Sequence, residues 1–338
     1  MAPKLYPLVL GNPVALAFAV TGDAWTQLIL REAFFGARRF SEWRERLGLP
    51  RSVLTDRLRR LLAAGILELR ASIPGGRSTY RLTAKGLDLY GIALMQGQWE
   101  RRYASSRYQK RYALALFDRE TGKPVRPGVL TREFGEAIDP RLVSYKAGPS
   151  VRPISPPALR RSRSVSSPAN RPIIDRSTRI IGDFWTWAVL SAAFFRIRRF
   201  DELTDAIGVA TNILADRLSR LIEAGILEKR AYQSSPERFE YRLTQAGRDL
   251  YPTIIAMFVW SERWLCHPGR SPLELFDRRT GERLAPVVAD LNTGAALDPR
   301  RIRWQTEKVA APVAPRARRG RRPGGPARTR VRRASGLY

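Results

Sequence analysis

One cysteine, one histidine and three methionines among 338 residues leave little material for redox or metal chemistry. A single thiol, Cys266, can build neither an intrachain disulfide framework nor a multi-cysteine zinc cage, and it suits a reducing cytoplasm. No Gly-rich phosphate loop, metal-ligand cluster or recurring pair of acids is present, so no enzyme and no cofactor is expected. Long apolar runs are also missing. PVALAFAV, residues 13–20, is far shorter than the roughly 20 residues a bilayer span needs. No A-x-A-like cleavage site follows it, so the stretch reads as a packed helix and a membrane is not an expected partner. Acidic residues are scarce as well: 31 Asp and Glu face 60 Lys and Arg, for a formal net charge of +29. Such an excess favours polyanionic partners through summed attraction and counterion release, nucleic acid first among them.

What is present is a duplication. VLTDRLRRLLAAGILELR (53–70) returns as ILADRLSRLIEAGILEKR (213–230). The offset is 160 residues from Gly22-Asp23 against Gly182-Asp183 through Asp56-Arg57 against Asp216-Arg217. It becomes 161 at YRLT (80–83 and 241–244) and 159 at LFDR-x-TG (116–122 and 275–281). Length changes therefore fall in loops, as expected of a duplicated folded unit.

Within a unit, WTQLILREAFF has helical periodicity and is closed by Gly36. Ser41, or Asp201 in the second unit, is the expected N-cap of a short helix ending at Leu47 or Ile207. After a turn at Gly48, apolar residues at 54, 58, 61 and 62 form one stripe on a second helix stopped by Gly65. Two short helices joined by a Gly turn form a helix-turn-helix pattern. ILELRAS and STYRLT read as two strands around Pro74-Gly75-Gly76, a hairpin that would be the wing of a winged helix. A last helix is expected from about 84 to 103 and from about 245 to 265, its apolar surface serving core packing or a dimer face.

The fold class expected is mainly α with small β wings (α+β): two winged helix-turn-helix domains, each followed by a short β-hairpin-like extension. The boundaries read as 1–104 and 172–267 for the domains, 105–150 and 268–311 for the extensions and 151–171 for a Pro/Ser/Arg-rich linker. Residues 312–338 form a tail with nine Arg and no acid, expected to be disordered.

GDAWT-QLILRE-x-x-FG-x-RRFSE, the run L-T-D-R-L-x-x-L-x-x-A-G-I-L and Y-R-L-T-x-x-G resemble, in order and in both halves, the HxlR-type family of bacterial winged-helix transcriptional regulators. The resemblance covers about 90 residues per half. It implies double-stranded DNA as partner, with the second helix of each pair in the major groove and the wing near the backbone. It also implies a dimer of units, here fused so that the second unit is at high effective concentration. Two departures stand out. Asn12 and Pro172 occupy the place where members often carry a cysteine, which removes thiol-based sensing. Thr121-Gly122 and Phe134-Gly135 stand where a cysteine-bearing knuckle would have Cys-Gly pairs, which removes a zinc site.

Taking away the apolar stripe leaves Arg51, Ser52, Thr55, Asp56, Arg59 and Arg60 outward on the first recognition helix, and Thr211, Asn212, Ala215, Asp216, Ser219 and Arg220 on the second. Arg51, Arg59 and Asn212 are the candidates for base contact, since bidentate Arg–guanine and Asn–adenine pairs each give about 1–3 kcal/mol of discrimination. Ser52, Thr55, Thr211 and Ser219 suit bases or phosphates. Arg60 and Arg220 lie four residues after an Asp, so a helix-stabilising ion pair competes with DNA contact. Arg39 and Arg199 precede the first helix of each motif and suit phosphates, and Arg77 and Arg238 lie on the wings. Cys266 beside His267 has no counterpart in the first unit and reads as a coincidence at a helix end. The leading expectation is a sequence-specific regulator acting as a tandem pseudo-dimer in the cytoplasm. The alternative is a nucleoid-associated architectural protein bound mostly through its basic tail. Further pairing of two chains through the terminal helices, and a small-molecule effector between the last helix and the core, complete the expected partners.

Overall fold

The computed structural model describes residues 6–71, 78–103, 113–151 and 176–307. Most of the expected linker and the whole of the Arg-rich tail lie outside them. The first repeat runs α1 (Tyr6–Gly11), α2 (Pro13–Thr21), α3 (Ala24–Phe34), α4 (Phe40–Leu47), α5 (Arg51–Ala63), β1 (Leu67–Ala71), β2 (Ser78–Leu82), α6 (Ala84–Asp88) and α7 (Tyr90–Tyr103). Its extension holds β3 (Ala113–Asp118), β4 (Pro127–Thr131) and β5 (Val143–Ala147). The second repeat follows the same order: α8 (Arg176–Ile181), α9 (Phe184–Phe194), α10 (Phe200–Ile207), α11 (Thr211–Glu223), β6 (Leu227–Ser234), β7 (Glu237–Leu243), α12 (Gln245–Arg248) and α13 (Tyr251–Trp264). It closes with β8 (Leu273–Asp277), β9 (Pro286–Asp290) and β10 (Ile302–Glu307). The mixed architecture is the expected one, helices dominating and every sheet small.

Local chemistry explains the recurring motifs. Asp23 and Asp183 cap α3 and α9 by accepting from the Thr26 and Thr186 backbone N–H groups at 3.1 and 2.8 Å. The N-caps of α4 and α10 are Arg39 and Arg199, not Ser41 and Asp201 as the sequence suggested. No capping hydroxyl is needed there, because Glu42 reaches back to accept from the Arg39 backbone N–H at 3.1 Å and Glu202 from that of Arg199 at 3.2 Å. In Y-R-L-T-x-x-G, Thr83 and Thr244 donate to the Gly65 and Gly225 carbonyls at 2.6 Å while accepting from Gly86 and Gly247 N–H at 3.1 Å. A Cβ on either glycine would lie 2.2–2.3 Å from the Ile66 or Ile226 carbonyl oxygen, so only glycine fits. This docking also divides the single terminal helix expected from sequence into α6 and α7, and into α12 and α13.

The repeats complete one another. The extensions do form their tight turns, with Asp118 accepting from the Thr121 N–H at 2.8 Å and Asp277 from the Thr280 N–H at 3.2 Å. Their ladders, however, run between repeats: β3 pairs with β10, β4 with β9 and β5 with β8, all antiparallel. Val129 faces Val288, its own equivalent in the other repeat, so a pseudo-two-fold axis passes through that pair. Side chains obey the same symmetry. Trp99 Nε1 donates to the Ala246 carbonyl at 2.8 Å and Trp260 Nε1 to that of Lys85 at 2.9 Å. Tyr103 donates to Asp249 at 2.5 Å, and Trp264 to Asp88 at 2.7 Å. Arg102 pairs with Asp249 at 2.9 Å and Arg263 with Asp88 at 3.0 Å.

The N-terminal helices are exchanged too, α2 lying on α13 and α8 on α7, while α7 packs against α13. PVALAFAV is thus part of a buried helix, and among the described residues no single helix is long and apolar enough to cross a membrane. Of the two roles expected for the terminal helix, core packing is seen in α13, where Ile254 through Phe258 and Trp260 are all buried.

One departure from the symmetry is chemical. Tyr145 rests on Phe195, ring centroids 4.7 Å apart, and its hydroxyl meets that of Tyr251 at 2.9 Å. At the equivalent place Trp304 rests on Phe35 at 4.2 Å, and the buried Tyr90 hydroxyl has no hydrogen-bond partner among the described residues. Tyr251→Phe is expected to cost about 1 kcal/mol and Tyr90→Phe nothing measurable or a slight gain, checked by urea unfolding. Trp260→Ala, which empties a cross-repeat site, should cost about 3–5 kcal/mol while unfolding stays a single transition in calorimetry, because neither repeat's core closes without the other.

Candidate nucleic-acid interface

The two helix-turn-helix units are built on a common buried frame. Gly48 and Gly208 take left-handed φ values of 60° and 67°, which lets the chain reverse within the short turn between the two helices. Leu54, Leu58 and Leu61 on α5, and Leu214, Leu218 and Leu221 on α11, are buried, and Leu62 is half-buried. Trp43, fully buried, donates to the Ile29 carbonyl at 3.0 Å and meets Tyr80 edge to face at 5.5 Å. It therefore fixes α4 against both α3 and the wing.

This frame leaves Arg51, Ser52, Thr55, Arg59 and Arg60 exposed on α5, and Thr211, Asn212, Ser219 and Arg220 exposed on α11. Arg39 is exposed at the start of α4 and Arg199 half-exposed at the start of α10. Arg238 is exposed on β7 opposite Gln233, and Arg77 lies outside the described residues. The two sets differ in how their charges are engaged. Arg60 pairs with Asp56 at 3.1 Å and Arg220 with Asp216 at 3.0 Å, the i,i+4 pairs that the spacing suggested. Arg199 is held by Asp201 at 2.8 Å and lies 5.5 Å from the Tyr232 ring centre, while Ser219 donates to Glu223 at 3.0 Å. Arg39, Arg51, Arg59 and Arg238 make no ion pair among the described residues.

Arg57 and Arg217 were not singled out from the sequence. Arg57 Nε donates to the cap Asp23 at 3.0 Å, and Arg217 Nε to Asp183 at 2.7 Å, and each guanidinium also meets the neighbouring Asp56 or Asp216. One carboxylate thus caps the helix after α2 or α8 and anchors the recognition helix. Burial works against the charge of Arg217, but Asp183 and Asp216 outweigh it and hold the guanidinium firmly protonated. The signal was available: Asp, Thr and Arg are identical in both repeats, whereas the exposed positions 51, 52, 55 and 59 all differ from their partners.

A cavity of about 440 Å³ lies where α7 meets the β4–β5 connection and the start of α13, lined by Met95, Trp99, Tyr103, Ile138, Arg141 and Asp249 among others. Burial, with Glu262 adding to it, pushes the Cys266 thiol up to about 11, which is no basis for a nucleophile at neutral pH.

The family model for HxlR-like helix-turn-helix proteins matches residues 20–108 and 180–268. The chain belongs to the HxlR-like helix-turn-helix family. An uncharacterized HTH-type transcriptional regulator of Mycobacterium tuberculosis is 35% identical over 129 residues, 38% of this chain and 82% of its own. The HTH-type transcriptional regulator YodB of Bacillus subtilis is 26% identical over 104 residues, 30% of this chain and 92% of its own. The crystal structure of PA1607, assigned as a transcription factor, shares 33% identity, covers 38% of this chain and 90% of its own, and gives a TM-score of 0.34. Both curated relatives are matched over most of their length by a stretch no longer than one repeat.

The Asp–Arg anchor predicts a pH dependence. Burial alone would raise the Asp183 carboxyl, but Arg217 and the Thr186 N–H hold it below its ordinary 3.8. A depressed folded-state value means that the stabilisation is present above the unfolded-state value and is lost as pH falls through the folded-state one. Asp183→Asn should therefore cost about 2 kcal/mol at pH 7 in urea unfolding, and the difference from wild type should shrink below pH 4.

Proposed function

We propose that the chain is a DNA-binding transcriptional regulator whose two winged helix-turn-helix units, related by the pseudo-two-fold axis, act as a built-in dimer on one duplex. The observation that carries this reading is the set Arg51, Ser52, Thr55 and Arg59. These residues are exposed on a helix whose pose is fixed by Leu54, Leu58, Leu61 and the Asp23–Arg57 anchor, and the two arginines among them are free of ion pairs among the described residues. A rigid helix presenting uncommitted arginines suits the major groove, where bidentate contact to guanine reads sequence. The wings β1–β2 and β6–β7, the second carrying Arg238, suit the adjacent backbone. The names of the curated relatives and the strong positive charge support the same reading. A small molecule in the cavity beside Trp99 and Asp249 would touch both repeats, α7 from one and α12–α13 from the other, and so bias their relative pose.

The test is selection of bound duplexes from a random DNA pool by the full-length protein, followed by affinities at several salt concentrations. An enriched site bound at least about a thousandfold more tightly than a scrambled control supports the regulator. Arg51→Ala and Arg59→Ala should each cost about 1–3 kcal/mol of discrimination at one position of that site. No enrichment, with affinity that collapses in salt and on removal of residues 312–338, would leave an architectural binder in its place.

A further inference from the structure

The two helix-turn-helix faces carry opposite charge. Residues 40–63 hold six Arg against three acids, net +3, while the equivalent residues 200–223 hold two Arg against five acids, net −3. The change is made at defined positions on the same backbone. Arg44, Arg46, Arg51 and Arg59 become Thr204, Ala206, Thr211 and Ser219, and Ser41 and Ala63 become Asp201 and Glu223. The buried residues between them keep their character, so the frame gives no reason for the switch except at Arg46, which pairs with Glu32 at 3.5 Å where the second repeat has Ala192 and a buried Ala206. Nor does pairing, since Asp205 is exposed and makes no ion pair among the described residues.

The cations that the second face does keep are engaged. Arg217 is shared between Asp183 and Asp216, Arg220 is paired to Asp216 and Arg199 to Asp201. A duplex presents one negative charge per roughly 1.7 Å of its axis, and exposed carboxylates within about 10 Å of it act at physiological salt. Asp205 and Glu223, exposed and in no ion pair among the described residues, would oppose a phosphate backbone laid along α10 and α11, while Asp201 and Asp216 cancel the arginines they hold. On the first repeat, Arg39, Arg44, Arg46, Arg51 and Arg59 lie exposed around α4 and α5, with Glu45 the one exposed acid of that unit among the described residues.

We propose that the chain grips DNA one-sidedly: the helix-turn-helix of the first repeat supplies the phosphate anchoring, and that of the second supplies none. The inference rests on the DNA-binding reading above and narrows it. The second repeat serves the grip by completing the fold, through the β3–β10, β4–β9 and β5–β8 ladders and the α2–α13 and α7–α8 contacts.

The experiment compares three full-length proteins on one duplex across a salt series. The first variant, R44T/R46A/R51T/R59S, gives the first repeat the residues that the second already folds with. The second variant, R199A/R220A, removes the half-exposed Arg199 and the exposed Arg220 at the matching face. Unfolding midpoints confirm that both are folded. Each lost phosphate contact lowers the slope of log affinity against log salt by about 0.9. The first variant is expected to lose at least two units of slope and about a hundredfold in affinity at 0.1 M salt. The second should stay within one unit and about threefold. Equal losses in the two variants, or a larger loss in the second, would overturn one-sided anchoring while leaving DNA binding in place. A wild-type protein that binds no duplex at low salt would overturn both.

Discussion

Everything in this fold depends on apolar surface that one repeat cannot cover by itself. The ladders of the strands after each winged helix run between the repeats, with isolated bridges such as Leu130–Ala137 joining residues within one, and the first helices of each repeat lie on the last helix of the other. Val129 against Val288 marks the axis, and Trp99, Tyr103 and Arg102 on one side are answered by Trp260, Trp264 and Arg263 on the other. An isologous interface of this kind normally forms between two chains and depends on their concentration. Here the connection between β5 and α8 makes it intramolecular, so the interface is obligatory and its geometry is inherited by both recognition helices.

From that frame outward, positioning passes through few groups. Asp23 and Asp183 each serve two helices, capping one and holding the arginine of another. The orientation of α5 and α11 is therefore set at the same atoms that start α3 and α9. Trp43 adds the wing to this assembly in the first repeat. The outward faces of α5 and α11 take no part in it, which is why they can vary without cost to the fold.

Much of this was legible in the chain. Period and glycine punctuation placed α3, α4, α5 and the wing, because amphipathic helices and Gly turns leave local marks in sequence. The i,i+4 pairs at Asp56–Arg60 and Asp216–Arg220 follow from spacing alone. What was illegible is non-local. LFDR-x-TG signals a tight turn, and the turn is there, but nothing in it reveals that the strands of the extensions pair 126 to 194 residues away. The terminal helix read as one element because Gly86, just before the break at Leu89, packs on the Ile66 carbonyl in the turn that leads into β1, a contact that local sequence does not mark. The Asp23–Arg57 anchor spans 34 residues, and only the identity of both members in both repeats hinted at it.

Fusion also explains where the repeats have diverged and where they have not. At the interface some exchanges keep bulk and ring character, Tyr103 for Trp264 and Tyr145 for Trp304. Others change volume in buried places, Met95 answering to Ala256 and Leu130 to Ala289, and in a closely packed contact such a change must be absorbed by neighbours from both repeats. On the helix-turn-helix faces the exchanges reverse charge outright, Arg44, Arg46, Arg51 and Arg59 giving way to uncharged residues while acids appear beside them. In a homodimer one gene copy specifies both faces, so a substitution that weakens one DNA contact weakens its mate. In a fused chain the faces are encoded separately, and selection on the first no longer protects the second. Packing thus confined the exchanges between the halves where they touch to apolar and aromatic residues, and covalent linkage let their charge part where they do not.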